Sequence, residues 1–273
     1  MHLILTGATG LVGSAVLHHI LSLPPTSAAA QQLSRLTILG RRAEIPLLSH
    51  PDRPTANTQT KIAVVPHADF NSYSTEVLSK LKDAGDGDGK VGVVWALGCS
   101  SQDVKEEKLY DEITRIYPLK AAEAFSTSLG AQQVNFVYVS GEGATTTPGM
   151  FTMMFGRVKG QTERELLELM SREPYSTALR VYSARPAAVD GGKQAAINDE
   201  AARRNYRQSV AFKATEKLLL PLLRAGLMKC FHSPTQELGR VLTELAMGNG
   251  EKLSGKGVEG EGRTISNAGI RER

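Results

Sequence analysis

Phe155 and Lys159 stand four residues apart in the run M-F-G-R-V-K-G-Q, so a helix places them on one face. The chemistry this spacing suggests is proton delivery to a reacting oxygen. That job needs a donor beside the lysine, and a phenyl ring has no proton to give. The lysine suits the task and the phenylalanine does not.

A second group of residues suits phosphate. Thr6-Gly7-Ala8-Thr9-Gly10-Leu11-Val12-Gly13 follows an apolar run at the start of the chain and opens an amphipathic one. Glycines at this spacing allow a tight turn, close approach of a pyrophosphate to backbone, and close helix–strand packing. The helix start then offers N–H groups to the phosphates. The next apolar run, Leu36–Leu39, ends in Gly40-Arg41-Arg42 and carries no acid. An acid there would favour NAD, whereas arginine forks suit the 2′-phosphate of NADP. Arg41 and Arg42 are read as that clamp, and NADP(H) as the cofactor. Asp69-Phe70 follows the third run, where an acid could bond an adenine amino group or simply serve a surface turn. Ala96-Leu97-Gly98 ends the fourth, where small residues let backbone approach a ligand. Cys99 beside them reads as a packed thiol.

These residues need elements to hold them. Short β-branched runs alternate with longer helical patterns, which predicts an α/β fold with a doubly wound parallel sheet. Strands are expected near Leu3–Thr6, Leu36–Leu39, Ile62–Val65, Gly92–Leu97, Val134–Ser140 and Ala178–Ser183. Helices are expected near Leu11–Ser22, Thr75–Asp83, Val104–Ser128, Met153–Arg172, Glu200–Arg224 and Pro234–Met247. Pro118 should kink or split the third of these. Asp83–Lys90 is too glycine-rich for a strand and lacks the ligand spacing of a calcium loop. The 273 residues are read as a single NAD(P)-binding domain, with 190–273 forming a small, mainly helical extension on the substrate side.

Composition narrows the function classes. A net charge of +4 with 5% aromatics lacks the dense basic, aromatic stripe of a nucleic-acid groove. Two cysteines, Cys99 and Cys230, build no disulfide framework and read as reduced thiols of a cytoplasmic protein. The six histidines show no zinc spacing, so no metal is expected. The N-terminus lacks a charged leader region, and no run of 18 apolar residues occurs, so neither a signal peptide nor membrane insertion is expected.

The motifs T-G-A-T-G-L-V-G, L-G-R-R, A-D-F, L-G-C-S, V-Y-V-S-G-E-G-A and F-G-R-V-K-G-Q-T-E occur in this order. Together they resemble the short-chain dehydrogenase/reductase superfamily. The closest likeness is to its atypical Tat-interactive-protein-like branch with fungal relatives. The resemblance covers about residues 1–190 and implies a Rossmann-like fold. It also implies that a Ser after the fifth strand orients a carbonyl. A Tyr on the next helix would donate the proton, and a Lys would hold the ribose and lower the Tyr pKa. Ser140 and Lys159 fall on the first and last of these positions, and Phe155 falls on the tyrosine. Arg185-Pro186-Ala187 stands where the family has Arg-Pro-Gly, a loop by the nicotinamide.

No tyrosine occurs between Tyr138 and Tyr175, so a register slip cannot restore the motif; Tyr182 is the best distant substitute. Three functions follow. One is an NADP(H)-dependent oxidoreductase acting on a small carbonyl or enone, with an altered proton relay. Another is a non-redox isomerase or cyclase with Phe151, Met153, Met154 and Phe155 lining an apolar pocket. The third is an NADPH-sensing binding protein without turnover. The helices at 104–128 and 153–172 could pair with a second copy as a homodimer.

Overall fold

In the computed structural model, which describes residues 1–82, 89–101, 104, 106–192, 194–202 and 231–273, the apolar runs form one parallel sheet. Its strands are β1 (His2–Thr6), β2 (Arg35–Gly40), β3 (Lys61–Pro66), β4 (Lys90–Trp95), β5 (Gln133–Val139) and β6 (Leu179–Ala184). The helices are α1 (Leu11–Ser22), α2 (Ala28–Gln32), α3 (Pro46–Ser49), α4 (Thr75–Lys82), α5 (Glu107–Asp111), α6 (Tyr117–Ser128) and α7 (Met154–Met170). Next come β7 (Ala188–Asp190), α8 (Ala195–Ala202), β8 (His232–Pro234), α9 (Thr235–Met247), β9 (Val258–Glu259), β10 (Thr264–Ile265) and α10 (Asn267–Glu272).

The sheet order is β3-β2-β1-β4-β5-β6-β10-β9, parallel except where β9 runs against β10. The order reverses between β1 and β4, where Leu3 stands beside Leu36 on one side and Gly92 on the other. Such a switch point opens a crevice at the carboxyl ends of the strands.

Strand alternation divides the core in two. Leu3, Leu5, Leu36 and Ile38 face one side and pack on Val16, Leu17 and Ile20 of α1 and Leu238, Val241 and Leu242 of α9. Ile4, Leu39, Val93, Trp95 and Phe136 face the other side and pack on Phe125 of α6 and Leu166 and Leu169 of α7. Helix α9 therefore lies in the wall beside α1. Gly239 lets the two helices touch: a Cβ there would sit 2.5 Å from Ala15 O. Asn135 of β5 donates to Ala246 O and Gly248 O, giving the end of α9 its carbonyl partners.

The six long strands stand within two residues of their expected ends. The third helix differs. It runs α5, a π-helical turn over Glu112–Ile116, then α6, with Pro118 in the first turn of α6. Proline has no N–H for the carbonyl four residues back. Thr114 O is instead taken by the hydroxyls of Tyr138 and Thr162. Arg115 ties this turn to α7 through Glu165 while gripping Asp111. The short strands β7 to β10 carry two or three residues each, too few for a period-2 signal. Of the helix expected over Glu200–Arg224, α8 begins earlier, at Ala195, and residues 203–224 lie outside the described residues, as do Arg203, Arg204, Cys230 and most of the 83–90 turn. Among the described residues no helix is long and apolar enough to cross a membrane.

Candidate functional site

The β1–α1 turn is built on two close approaches. Gly7 adopts φ +68, and a Cβ on it would lie 2.3 Å from Ala96 O. A Cβ on Gly13 would lie 2.1 Å from Gly7 O. Neither contact leaves room for a side chain, so both glycines are required by sterics. Gly10 is the N-cap of α1 and provides no side-chain cap, which leaves first-turn N–H groups for a ligand. Thr6 is spent on the fold: its hydroxyl accepts from Leu97 N at 3.2 Å and fastens β1 to the end of β4.

Two hollows flank this turn and share Ala96, Leu97 and Gly98. The smaller, about 220 Å³, is lined by Gly7, Thr9, Gly40, Arg41 and Arg42, with no acid in its wall. Both arginines are exposed there. The larger, about 830 Å³, runs from Gly10, Leu11 and Val12 to Ser140, Phe155, Lys159 and Pro186. The two hollows meet at Ala96, Leu97 and Gly98 at the switch point, and the Arg41–Arg42 end is basic.

Ser140 follows β5, and its hydroxyl is buried with no hydrogen-bond partner. Lys159 Nζ donates to Ser140 O at 2.5 Å and to Val139 O at 3.2 Å. Burial brings its ammonium down to about 8, against the opposing pull of Glu163 and Cys99. Phe155 forms cleft wall, its ring 3.4 Å from where a Cβ on Gly143 would be. Among the described residues no free phenol stands nearby. Tyr138 lines the cleft, but its hydroxyl is committed to Thr114 O at 3.1 Å, and burial pushes its pKa up. Tyr182 points elsewhere and donates to Glu251 O.

Several residues expected at the site have partners or places of their own. Arg185 does not line the cleft, because its guanidinium grips the buried Glu163 carboxylate bidentately and also reaches Glu259. It locks β6 to α7 and β9, while Pro186 and Ala187 after it form the cleft wall. Pro186 O accepts from Glu142 N, and Ala187 N donates to Ser233 Oγ, each at 2.8 Å. Asp69 closes its own turn by accepting from Asn71 N and Ser72 Oγ, bonds that hold its carboxyl below the usual range. Phe70 is 1% exposed and packs edge-on against Trp95. Of the four residues expected to make an apolar pocket, only Phe155 lines the cleft, while Phe151 and Met153 project into solvent.

Sequence reading missed Thr114, Tyr138, Val189 and Phe231, all in the cleft wall. For Thr114 a signal existed: Pro118 stands four residues on and must disturb the helix there.

Botcinic acid biosynthesis cluster B protein 16 of Botryotinia fuckeliana (strain B05.10) is 43% identical over 140 residues, which span 50% of this chain and 84% of that protein. The chain belongs to the family of that protein. Leucinostatins biosynthesis cluster protein T of Purpureocillium lilacinum is 29% identical over 287 residues, 99% of this chain and 94% of that one. No family model matches the chain.

Among solved structures, a short chain dehydrogenase/reductase from Saccharomyces cerevisiae superposes with a TM-score of 0.60 at 18% identity, covering 97% of this chain and 95% of that one. The NADPH-dependent 3-quinuclidinone reductase of Rhodotorula rubra gives 0.56 at 14%, covering 100% and 91%. The fold is that of the short-chain dehydrogenases/reductases.

Proposed function

We propose that this protein is an NADP(H)-dependent oxidoreductase acting on a small carbonyl or enone compound within a biosynthetic cluster. The observation that carries the reading is the two adjoining hollows, with two arginines at one end and Ser140 and Lys159 at the other. The residues fit a dinucleotide. Gly7 and Gly13 let the β1–α1 turn close tightly on backbone, the start of α1 is uncapped, and Ser140 Oγ awaits a partner. The bound nicotinamide would supply a hydride. Arg41 and Arg42 would hold a 2′-phosphate, which distinguishes NADP from NAD. Lys159, already braced on two carbonyls, has a third N–H for a ribose hydroxyl.

Phe155 keeps a second reading in play, a non-redox isomerase or cyclase on the same scaffold. The specific observation favouring it is that no free phenol lines the cleft among the described residues. One experiment separates them. Wild type and Phe155→Tyr are incubated with NADPH and a panel of ketones and enones. Under the oxidoreductase reading, Phe155→Tyr raises ketone reduction by about 10²-fold, the scale of positioned acid catalysis. Product formation without NADPH consumption would establish the non-redox reading instead. The proposal places the protein in the cytoplasm as a homodimer through α6 and α7, and sedimentation at micromolar concentration tests the dimer.

A further inference from the structure

Several buried helical hydroxyls among the described residues satisfy themselves on the carbonyl four residues back. Ser126 does so on Ala122, Thr162 on Val158 and Thr243 on Gly239. Thr114 does not. It is 4% exposed, lines the cleft, and its Oγ1 is buried without a hydrogen bond of ordinary geometry, with the Tyr110 hydroxyl close enough to interact with it. An unpaired buried hydroxyl is costly, and a protein that keeps one at the wall of a cleft has a use for it.

The backbone explains how Thr114 comes to stand there. Pro118 withholds the donor that would close a regular turn, the chain widens into a π-turn, and Thr114 is carried to the cleft wall. Two hydroxyls hold the residue from behind, Tyr138 OH at 3.1 Å and Thr162 Oγ1 at 3.3 Å, both on its carbonyl oxygen. Tyr138 stands two residues before Ser140, so the side chain that anchors Thr114 issues from the same side of β5 as Ser140. Ser140 Oγ is the other buried, unpartnered hydroxyl of this cleft. Phe155 brings only a phenyl ring to the same cleft.

We infer that Thr114 is a substrate-binding residue: its hydroxyl and that of Ser140 donate to one carbonyl oxygen, and Thr114 supplies the hydrogen bond that Phe155 cannot make. This rests on the oxidoreductase reading for its reaction, though not for its geometry. A bound reduced nicotinamide would supply a hydride, with its electron pair, to the carbonyl carbon. The C=O π pair moves onto oxygen, where the two hydroxyls meet it, and that oxygen takes a proton from solvent. Donors placed where charge develops stabilise that charge without reorganisation.

The test uses phenanthrenequinone, an activated diketone, with wild type, Thr114→Val and Thr114→Ser. Valine keeps the shape and the backbone carbonyl while removing the hydroxyl, and serine restores the hydroxyl. The first readout is the infrared stretch of the isotopically labelled quinone carbonyl bound to protein alone. Wild type and Thr114→Ser should lower this frequency further than Thr114→Val does. The second readout is NADPH oxidation, where Thr114→Val should lose about 10²-fold in kcat and Thr114→Ser no more than a few-fold. NADPH affinity, measured by fluorescence, should match wild type in both variants. Equal carbonyl frequencies in all three proteins, or Thr114→Ser as impaired as Thr114→Val, overturns the assignment. A frequency contrast without NADPH oxidation by wild type upholds Thr114 and removes the oxidoreductase reading. NADPH oxidation without the contrast does the reverse.

Discussion

Phe155 and Lys159 share a helix face and separate in role. The lysine is braced by Val139 O and Ser140 O and needs no phenol to stay in place. Its depressed pKa has a testable consequence for stability. Between about 8 and the ordinary lysine value of 10.5, the unfolded chain holds a proton that the native protein has released. Stability rises with pH wherever the unfolded state binds more protons. Wild type should therefore gain on Lys159→Met across that window, by at most about 1.4 kcal/mol per pH unit, and show no such trend from pH 6 to 7.5. Urea unfolding of the two proteins at matched pH checks this. That Ser140, Phe155 and Lys159 come to one cleft was legible because each lies in a fixed motif. Asp69, Phe70 and Arg185 have protein partners the motif did not announce, because a motif states a position, whereas a side chain goes to its best partner. For Arg185 that partner is Glu163, 22 residues away in sequence and invisible to local pattern.

Among the elements, the β1–α1 turn leaves the least freedom. Gly13→Ala would force a methyl into Gly7 O, a backbone atom that cannot swing aside. It should cost about 1–3 kcal/mol by urea unfolding, the range for overpacking, and weaken nucleotide binding as well. An unchanged midpoint would show that the turn has slack the close contacts deny. The long strands and helices were readable because each spans several periods of its own pattern. The π-turn was half readable: Pro118 announces a disturbance, but only the hydroxyls of Tyr138 and Thr162 decide that the helix widens instead of ending. Helix α9 was placed in sequence though not in space, since its apolar stripe shows what it buries and not that Ala15 and α1 lie opposite.

At the scale of the whole molecule, the sheet order brings residues far apart in sequence to one line. Thr9, Arg41 and Arg42, Ala96 to Gly98, and Ser140 with Lys159 follow one another along the groove where the order reverses. The alternation of strands and helices implied that crevice; its width and the reach of its walls depend on packing across chain segments. The groove is proposed to hold NADP(H), with Arg41 and Arg42 on the 2′-phosphate. Fluorescence titration of wild type and an Arg41→Ala/Arg42→Ala double variant with NADPH and NADH tests it directly. Wild type should bind NADPH at least about 10-fold tighter than NADH, and the double variant should lose that preference while keeping its NADH affinity, since guanidinium–phosphate bonds are charge-assisted. Equal binding of the two nucleotides by wild type, or a preference that survives loss of both arginines, would contradict it.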